Sequence, residues 1–364
     1  MKKTIALVGE FRSSNLGDAV IFFVFSSLLK QKFSKKIINI DISEYRNSPS
    51  KPASLIRSLQ KYISNIYKKI AYPYMRLYSY IKIPKHSKVC FVGGALFQDY
   101  FIDSMRAILK TADKKKCSVV FFSIGIGPLS IQNKKFLMHY FAKHQNTKLS
   151  IRDGEQFWKR NKVAFFPQPD IAICSSLIYK TNIRNNKNVI GIGVISFKEF
   201  FQLNPTTKLT KESYYTGLCK IISSITNLGY RAELFCNGSI SDFNIIQEIK
   251  KILPSTSFSY AERPLLHTDL IRIISQYKFI IASRLHAILI AYSFQIPFFA
   301  LGWDKKVSSF LKNINMSKSG VPLEHINDIN WDFTIKENMS RKIDNFFLKK
   351  QQQQLIREIT TLGL

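Results

Sequence analysis

An arginine and a histidine two residues apart, Arg284 and His286, stand directly after the apolar run Phe279-Ile280-Ile281-Ala282. The run reads as a buried strand, and Ala287 to Phe294 as the helix that follows it. In an open α/β sheet the carboxyl ends of the strands form the ligand crevice, and a following helix N-terminus attracts anions. A guanidinium and an imidazole at that point can hold an anionic substrate and move a proton. The plainer reading, a surface Arg and a helix-capping His, is outweighed by further strand-end signals of the same kind.

The first strand, Ile5–Val8, closes on Gly9, and Ser13-Ser14-Asn15-Leu16-Gly17-Asp18 then leads into a helix from Ala19. Asn15, Gly17 and Asp18 are candidate ligand-facing residues, with helix capping the alternative for Asp18. Gly93-Gly94 follows Val89–Val92, Gly125-Ile126-Gly127 follows Val119–Ile124, and Arg152-Asp153 follows Leu149–Ile151. Later, Asn237-Gly238-Ser239 follows Ala232–Cys236, and Gly302-Trp303-Asp304-Lys305-Lys306 follows Phe298–Leu301. One glycine at a strand-to-helix turn is ordinary; its recurrence along one rim is not. Lys306 suits a phosphate, unless Asp304 simply opens a helix whose lysines face solvent. Neither a dinucleotide fingerprint nor a Walker loop is present, so NAD and ATP lack support.

These positions need parallel strands to carry them. Besides those named, strands are expected at Ile37–Ile40, Val163–Phe166, Val189–Ile195 and Phe258–Tyr260, alternating with helical patterns. The expected fold class is α/β: two Rossmann-like domains facing each other across a cleft, parallel sheets with helices on both faces. The first domain is expected over 1–182 and the second over 188–335, parted by the polar stretch 182–187. A polar helical pattern, Lys336 to Thr360 within 336–364, is expected to pack back on the first domain.

Within the first domain, 46–88 carries ten basic residues, no acidic one and six tyrosines. Ile56, Leu59, Ile63, Ile66 and Ile70 recur at helical spacing, which gives a cationic amphipathic stretch suited to an anionic membrane surface. Packing of its apolar stripe on the first domain is the equal alternative. Lys+Arg 54 against Asp+Glu 24 gives a net charge of +30, pointing to anionic partners. No helix-turn-helix, zinc or RNP-like pattern supports nucleic acid. Five scattered cysteines without a C-x-x-C pair fit buried hydrophobes in a reducing cytoplasm, and nothing requires a metal. Glu10 and Arg12 cut the N-terminal apolar run too short for a signal peptide, and no stretch nears the ~20 apolar residues of a membrane span. A soluble or membrane-peripheral cytoplasmic protein is expected.

The segments NLGDAVI, VGGALFQD, SIGIGPL, SIRD, QPDIAI and SRLHAILIAYSFQIPFFALGWDKKVSSFL together resemble the polysaccharide pyruvyl transferase family over nearly the whole chain. Two departures are visible: VGGALF has two glycines where relatives often have three, and Trp303-Asp304-Lys305 replaces a more usual Tyr-Asp-Pro. The resemblance implies a GT-B-like architecture, with the N-terminal domain on the acceptor side and the C-terminal domain on the donor side. It implies transfer of pyruvate from phosphoenolpyruvate, as donor substrate and without a cofactor, onto a sugar or lipid-linked oligosaccharide as a ketal. On that reading Arg284 binds the donor anion, His286 carries the proton, and Arg152 and Lys306 are further substrate-binding candidates. Asn15, Gly17, Asp18, Gly93, Gly94 and Asn237 complete the expected site. The rival is a GT-B glycosyltransferase with a nucleotide-sugar donor. A non-catalytic basic module on lipid or nucleic acid would have no use for glycine-rich strand ends.

Overall fold

The computed structural model describes residues 4–33, 35–43, 72–180, 188–254 and 257–361. The apolar repeat from Ile56 to Ile70 and the whole polar break 182–187 therefore lie outside the described residues. The chain divides into two compact units. One comprises Met1–Ser13, Ile21–Ile171 and Gln353–Leu364; the other comprises Ser14–Val20 and Ala172–Gln352.

The first unit is built on a parallel sheet of order β2-β1-β3-β4-β5-β6. Its strands are β1 (Ile5–Gly9), β2 (Ile37–Asp41), β3 (Lys88–Val92), β4 (Ser118–Ile124), β5 (Lys148–Ile151) and β6 (Phe166–Pro167). The central strands are buried along their length, which is why they read as continuous apolar runs without alternation. Phe91, Phe97, Phe121 and Trp158 interlock beneath them. The strand expected at Val163–Phe166 shrinks to the exposed edge pair Phe166–Pro167, since proline cannot donate to a ladder and is tolerated at an edge.

The second unit holds β7 (Val189–Gly193), β8 (Arg231–Phe235), β9 (Ser259–Tyr260), β10 (Phe279–Ala282), β11 (Phe298–Gly302) and β12 (Gly320–Pro322). Their order is β12-β11-β10-β7-β8-β9, all parallel. Numbered from β7, this is the doubly wound order 3-2-1-4-5-6, with its reversal between β7 and β10. β12 was not legible beforehand: three residues between Gly320 and Pro322 carry no strand pattern. The single helix expected at Lys336–Thr360 is two, Trp331–Ser340 and Asn345–Thr361. Asp344 explains the break, because its carboxylate accepts from the Phe347 amide at 3.0 Å and starts the second helix. The first helix, Leu16–Lys32, begins three residues before Ala19. Among the described residues no helix is long and apolar enough to cross a membrane.

Candidate active site

The reversal of strand order places the ends of β7 and β10 side by side, with Gly193 opposite Ala282 and the Ser283 amide donating to the Gly193 carbonyl at 3.2 Å. Arg284 is the next residue. It is the N-cap of the helix Leu285–Ser293 and makes no side-chain capping bond; the Ala287 amide bonds its carbonyl at 3.1 Å, and the helix dipole turns its positive end to this place.

Arg284 is buried, and its guanidinium turns instead to two carboxylates. Nε and Nη2 bind Asp242 at 2.9 and 2.7 Å, and Nη2 also meets Glu199 at 2.5 Å. Asp242, on the helix Ile240–Ile252, is fully buried and also accepts from the Ser196 amide at 2.8 Å. Glu199 lies on the short helix Phe197–Leu203 and is braced by Ser241, which bonds Ser239. Burial pushes the Asp242 carboxyl above the usual carboxylate range, against the pull of Arg284. Burial is the largest influence on Glu199 too, but the charge of Arg284 and the hydrogen bonds from Ser241 and Arg284 together outweigh it, and the carboxyl is lowered. Burial alone would lower Arg284; Asp242 first, then Glu199, hold it above its ordinary value. Arg284 is thus a permanently charged, orientationally fixed group with Nη1 left over.

His286 is the second residue of the same helix and is buried. Its ring lies on Gly17: a Cβ there would fall 2.1 Å from Nδ1 and 2.5 Å from the histidine Cβ. The Leu16 amide donates to the Asn237 carbonyl at 2.9 Å, which ties the turn after β8 to the same place. Gly238, at φ +101°, belongs to that turn; a Cβ on it would strike the Ser14 carbonyl at 2.6 Å. Asn15 donates to Asp18 at 3.4 Å. Asn237 is 1 % exposed, and neither its amide nitrogen nor its amide oxygen finds a hydrogen-bond partner among the described residues. A buried amide in that state costs about 1–3 kcal/mol unless a water or another polar group pairs with it.

The expected residues therefore part into groups. Asn15, Gly17, Asp18, Asn237, Arg284 and His286 meet in the second unit. Lys306 is also there, but the amides of its helix are taken: Asp304 accepts from Lys306 and Val307 at 3.0 and 3.2 Å. The capping role weighed for Asp304 is present, and it occupies two amides of that helix end. Gly93, Gly94 and Arg152 belong to the first unit. Gly93 and Gly94 take φ of +53° and +64°, the left-handed region that favours glycine. Arg152 is paired with Asp170 and, through Nε at 3.5 Å, with Asp153, its side chain almost wholly buried. Asp153 in turn accepts from the Ile126 amide at 2.7 Å. Through these pairs Arg152 joins the loops at the strand ends of the first unit. In the same way Asp41, buried at the end of β2, gathers the amides of Phe11, Arg12 and Ser43.

A family model for polysaccharide pyruvyl transferase matches residues 15–305, a span that runs from Asn15 through the Arg284–His286 pair. The chain belongs to the polysaccharide pyruvyl transferase family. It is accordingly a transferase. Among solved structures, UDP-GlcNAc 2-epimerase from Methanocaldococcus jannaschii, in complex with UDP-GlcNAc and UDP, is similar with a TM-score of 0.55 at 11% identity, covering 99% of this chain and 100% of that one. A second structure of the epimerase from that organism gives 0.57 at 10% identity, with 94% of each chain covered. S. aureus MnaA in a co-structure with UDP gives 0.55 at 14% identity, covering 96% of this chain and 90% of that one. Such likeness shows the fold, which is GT-B. No curated protein matches the sequence.

Within this pyruvyl transferase family member, the carboxylates that hold Arg284 escaped the sequence reading. Asp242 and Glu199 sit in the first turns of two helices, where an acid looks like an ordinary dipole partner. Their one sequence signal is position: each follows the end of a strand beside the reversal, β8 and β7 respectively.

Proposed function

We propose that this transferase moves a pyruvyl group from phosphoenolpyruvate to a sugar of a surface polysaccharide or its lipid-linked precursor, forming a cyclic ketal. The observation that carries the reading is the meeting of Arg284, His286 and the positive helix N-terminus at the strand-order reversal. His286 protonates the methylene carbon of the donor, so that the central carbon becomes electrophilic and a sugar hydroxyl adds to it. The C–O bond to phosphate then breaks, phosphate departs, and a second hydroxyl closes the ketal. Of the two hydroxyl protons lost, one replaces the proton given to carbon and the other leaves with phosphate or water. Arg284 and its two carboxylates sum to one negative charge, so the donor anion is met by Nη1 together with the positive end of the helix Leu285–Ser293. Asn237 offers its unpaired amide to the donor or to the attacking hydroxyl.

The test is incubation with phosphoenolpyruvate and a panel of sugars, with phosphate release and acceptor mass as readouts. A ketal-bearing product is expected, and His286→Ala should release no phosphate above background. Wild-type release from that variant ends the proton-carrier role. Stabilisation against heat by UDP but not by phosphoenolpyruvate would favour the nucleotide-sugar rival instead.

We further propose that the enzyme works at an anionic bilayer. Residues 72–82 are helical and expose Leu77 (62 %) and Ile81 (70 %) with Tyr74 and Tyr80. Arg76, Lys110 and Lys114 surround Leu77 and Tyr80, and 46–88 has no acid to oppose a lipid headgroup. Cosedimentation with vesicles containing an anionic lipid is expected, and Leu77→Glu/Ile81→Glu should abolish it. Equal recovery of that variant would refute the surface.

A further inference from the structure

At the carboxyl ends of β11 and β12 the second unit contains a cavity of about 420 Å³. That is the size of a site for a drug-sized ligand, well beyond what a three-carbon acid phosphate fills. Trp303, Phe200 and Leu311 supply apolar wall; Lys305, Lys312 and Glu324 supply charge. Lys305 and Lys312 are two turns apart on one helix and line the same space. Trp303 joins the cavity to the site already described, since the Arg284 guanidinium lies 5.2 Å from its ring centroid. The Asn204 amide holds the Trp303 carbonyl at 2.9 Å, while the buried indole Nε1 finds no acceptor among the described residues. A buried indole N–H usually has a partner.

We propose that this cavity, in the second unit and not on the N-terminal side where the family resemblance puts the acceptor, binds the sugar of a phosphorylated acceptor, the pyranose ring against Trp303 and the phosphate between Lys305 and Lys312. The C–H face of a pyranose matches the indole face, whereas its hydroxyls need an acceptor such as Glu324 and a donor such as Nε1. A phosphate needs the paired cations. The tryptophan contact to Arg284 sets such a sugar next to the group that faces the donor. This rests on the reading of the chain as a sugar-modifying transferase, but not on the identity of the donor.

The chain has three tryptophans, and Trp158 and Trp331 are buried in the two cores, so a ligand-dependent change in emission reports on Trp303. Titration with glucose 1-phosphate and galactose 1-phosphate is expected to give a saturable change. Methyl glucoside and methyl galactoside should bind more weakly. Trp303→Phe should remove the signal and raise the acceptor KM without altering saturation by phosphoenolpyruvate. Lys312→Ala, at an exposed position, should weaken hexose phosphate binding by about tenfold, as one charge-assisted hydrogen bond implies. No emission change with either hexose phosphate overturns the proposal. So does an equal or stronger response to uridine, which would make the cavity a base pocket. Failure of the donor reading looks different: hexose phosphate still binds, but phosphoenolpyruvate releases no phosphate.

Discussion

Gly17→Ala separates the packing of the site from the stability of the fold. Gly17 is helical, so alanine fits its backbone and the demand there is for space. The added methyl would lie 2.1, 2.3 and 2.5 Å from Nδ1, Cγ and Cβ of His286. Ordinary contact begins near 3.4 Å, so the imidazole must withdraw by about 1.3 Å. Rotation about χ1 cannot relieve this, because the histidine Cβ itself is too close. Overpacking of this kind costs about 1–3 kcal/mol. Replacing a helical glycine by alanine returns roughly 0.5–1 kcal/mol. The net loss of stability is therefore at most about 2.5 kcal/mol, which a compact unit survives. A reacting group displaced by about 1 Å can lose 10²-fold in rate. The expected result is a protein whose urea midpoint falls slightly while phosphate release from phosphoenolpyruvate drops about a hundredfold. Release within twofold of wild type would refute either the contact or the part given to His286.

Asp242→Asn leaves Arg284 buried with Glu199 as its remaining carboxylate, and breaking a buried pair in this way costs about 3–5 kcal/mol. Arg284→Met/Asp242→Asn should recover most of that in urea titrations while remaining inactive; no recovery would mean the carboxylate acts mainly elsewhere. Burial raises the Cys236 thiol from 9.0 to about 11 and lifts Tyr277 well above 10.0. An acid raised in the native state keeps its proton longer there than in the unfolded chain, so stability falls as pH rises from about 9 toward 11. For Cys236 the loss is on the order of 2 kcal/mol, and Cys236→Ala should show a shallower decline in urea midpoint over that window. For Glu199, whose carboxyl is lowered, the sign is opposite: its contribution is present above the ordinary value of 4.5 and is lost as the native carboxyl protonates. Glu199→Gln should therefore flatten the acid side of the stability profile, and an unchanged profile would contradict the pairing with Arg284.

The strand ends were legible because a parallel strand covered on both faces must be apolar along its length and must stop where polar or glycine residues begin. Phe279–Ala282 followed by Arg284 and His286 needed no partner to be recognised, and the same local logic located β1, β3, β4, β8 and β11. Proline at position 167 and the short run Gly320–Pro322 show where that logic ends: an edge strand is made by its neighbour, and its own residues carry little pattern. The role of each charged group was a further step removed. Arg284 and Arg152 read alike in sequence, as cations after a strand, yet both turned out to be held by acids from other elements. Those acids lie at |i−j| of 42 and 85 from Arg284, and of 18 from Arg152 for its nearer carboxylate. Sequence fixes which chemistry is present at a strand end, since that depends on local burial. Only the order of strands in the sheet decides which ends become neighbours, and so which charges are spent on each other and which remain for a substrate.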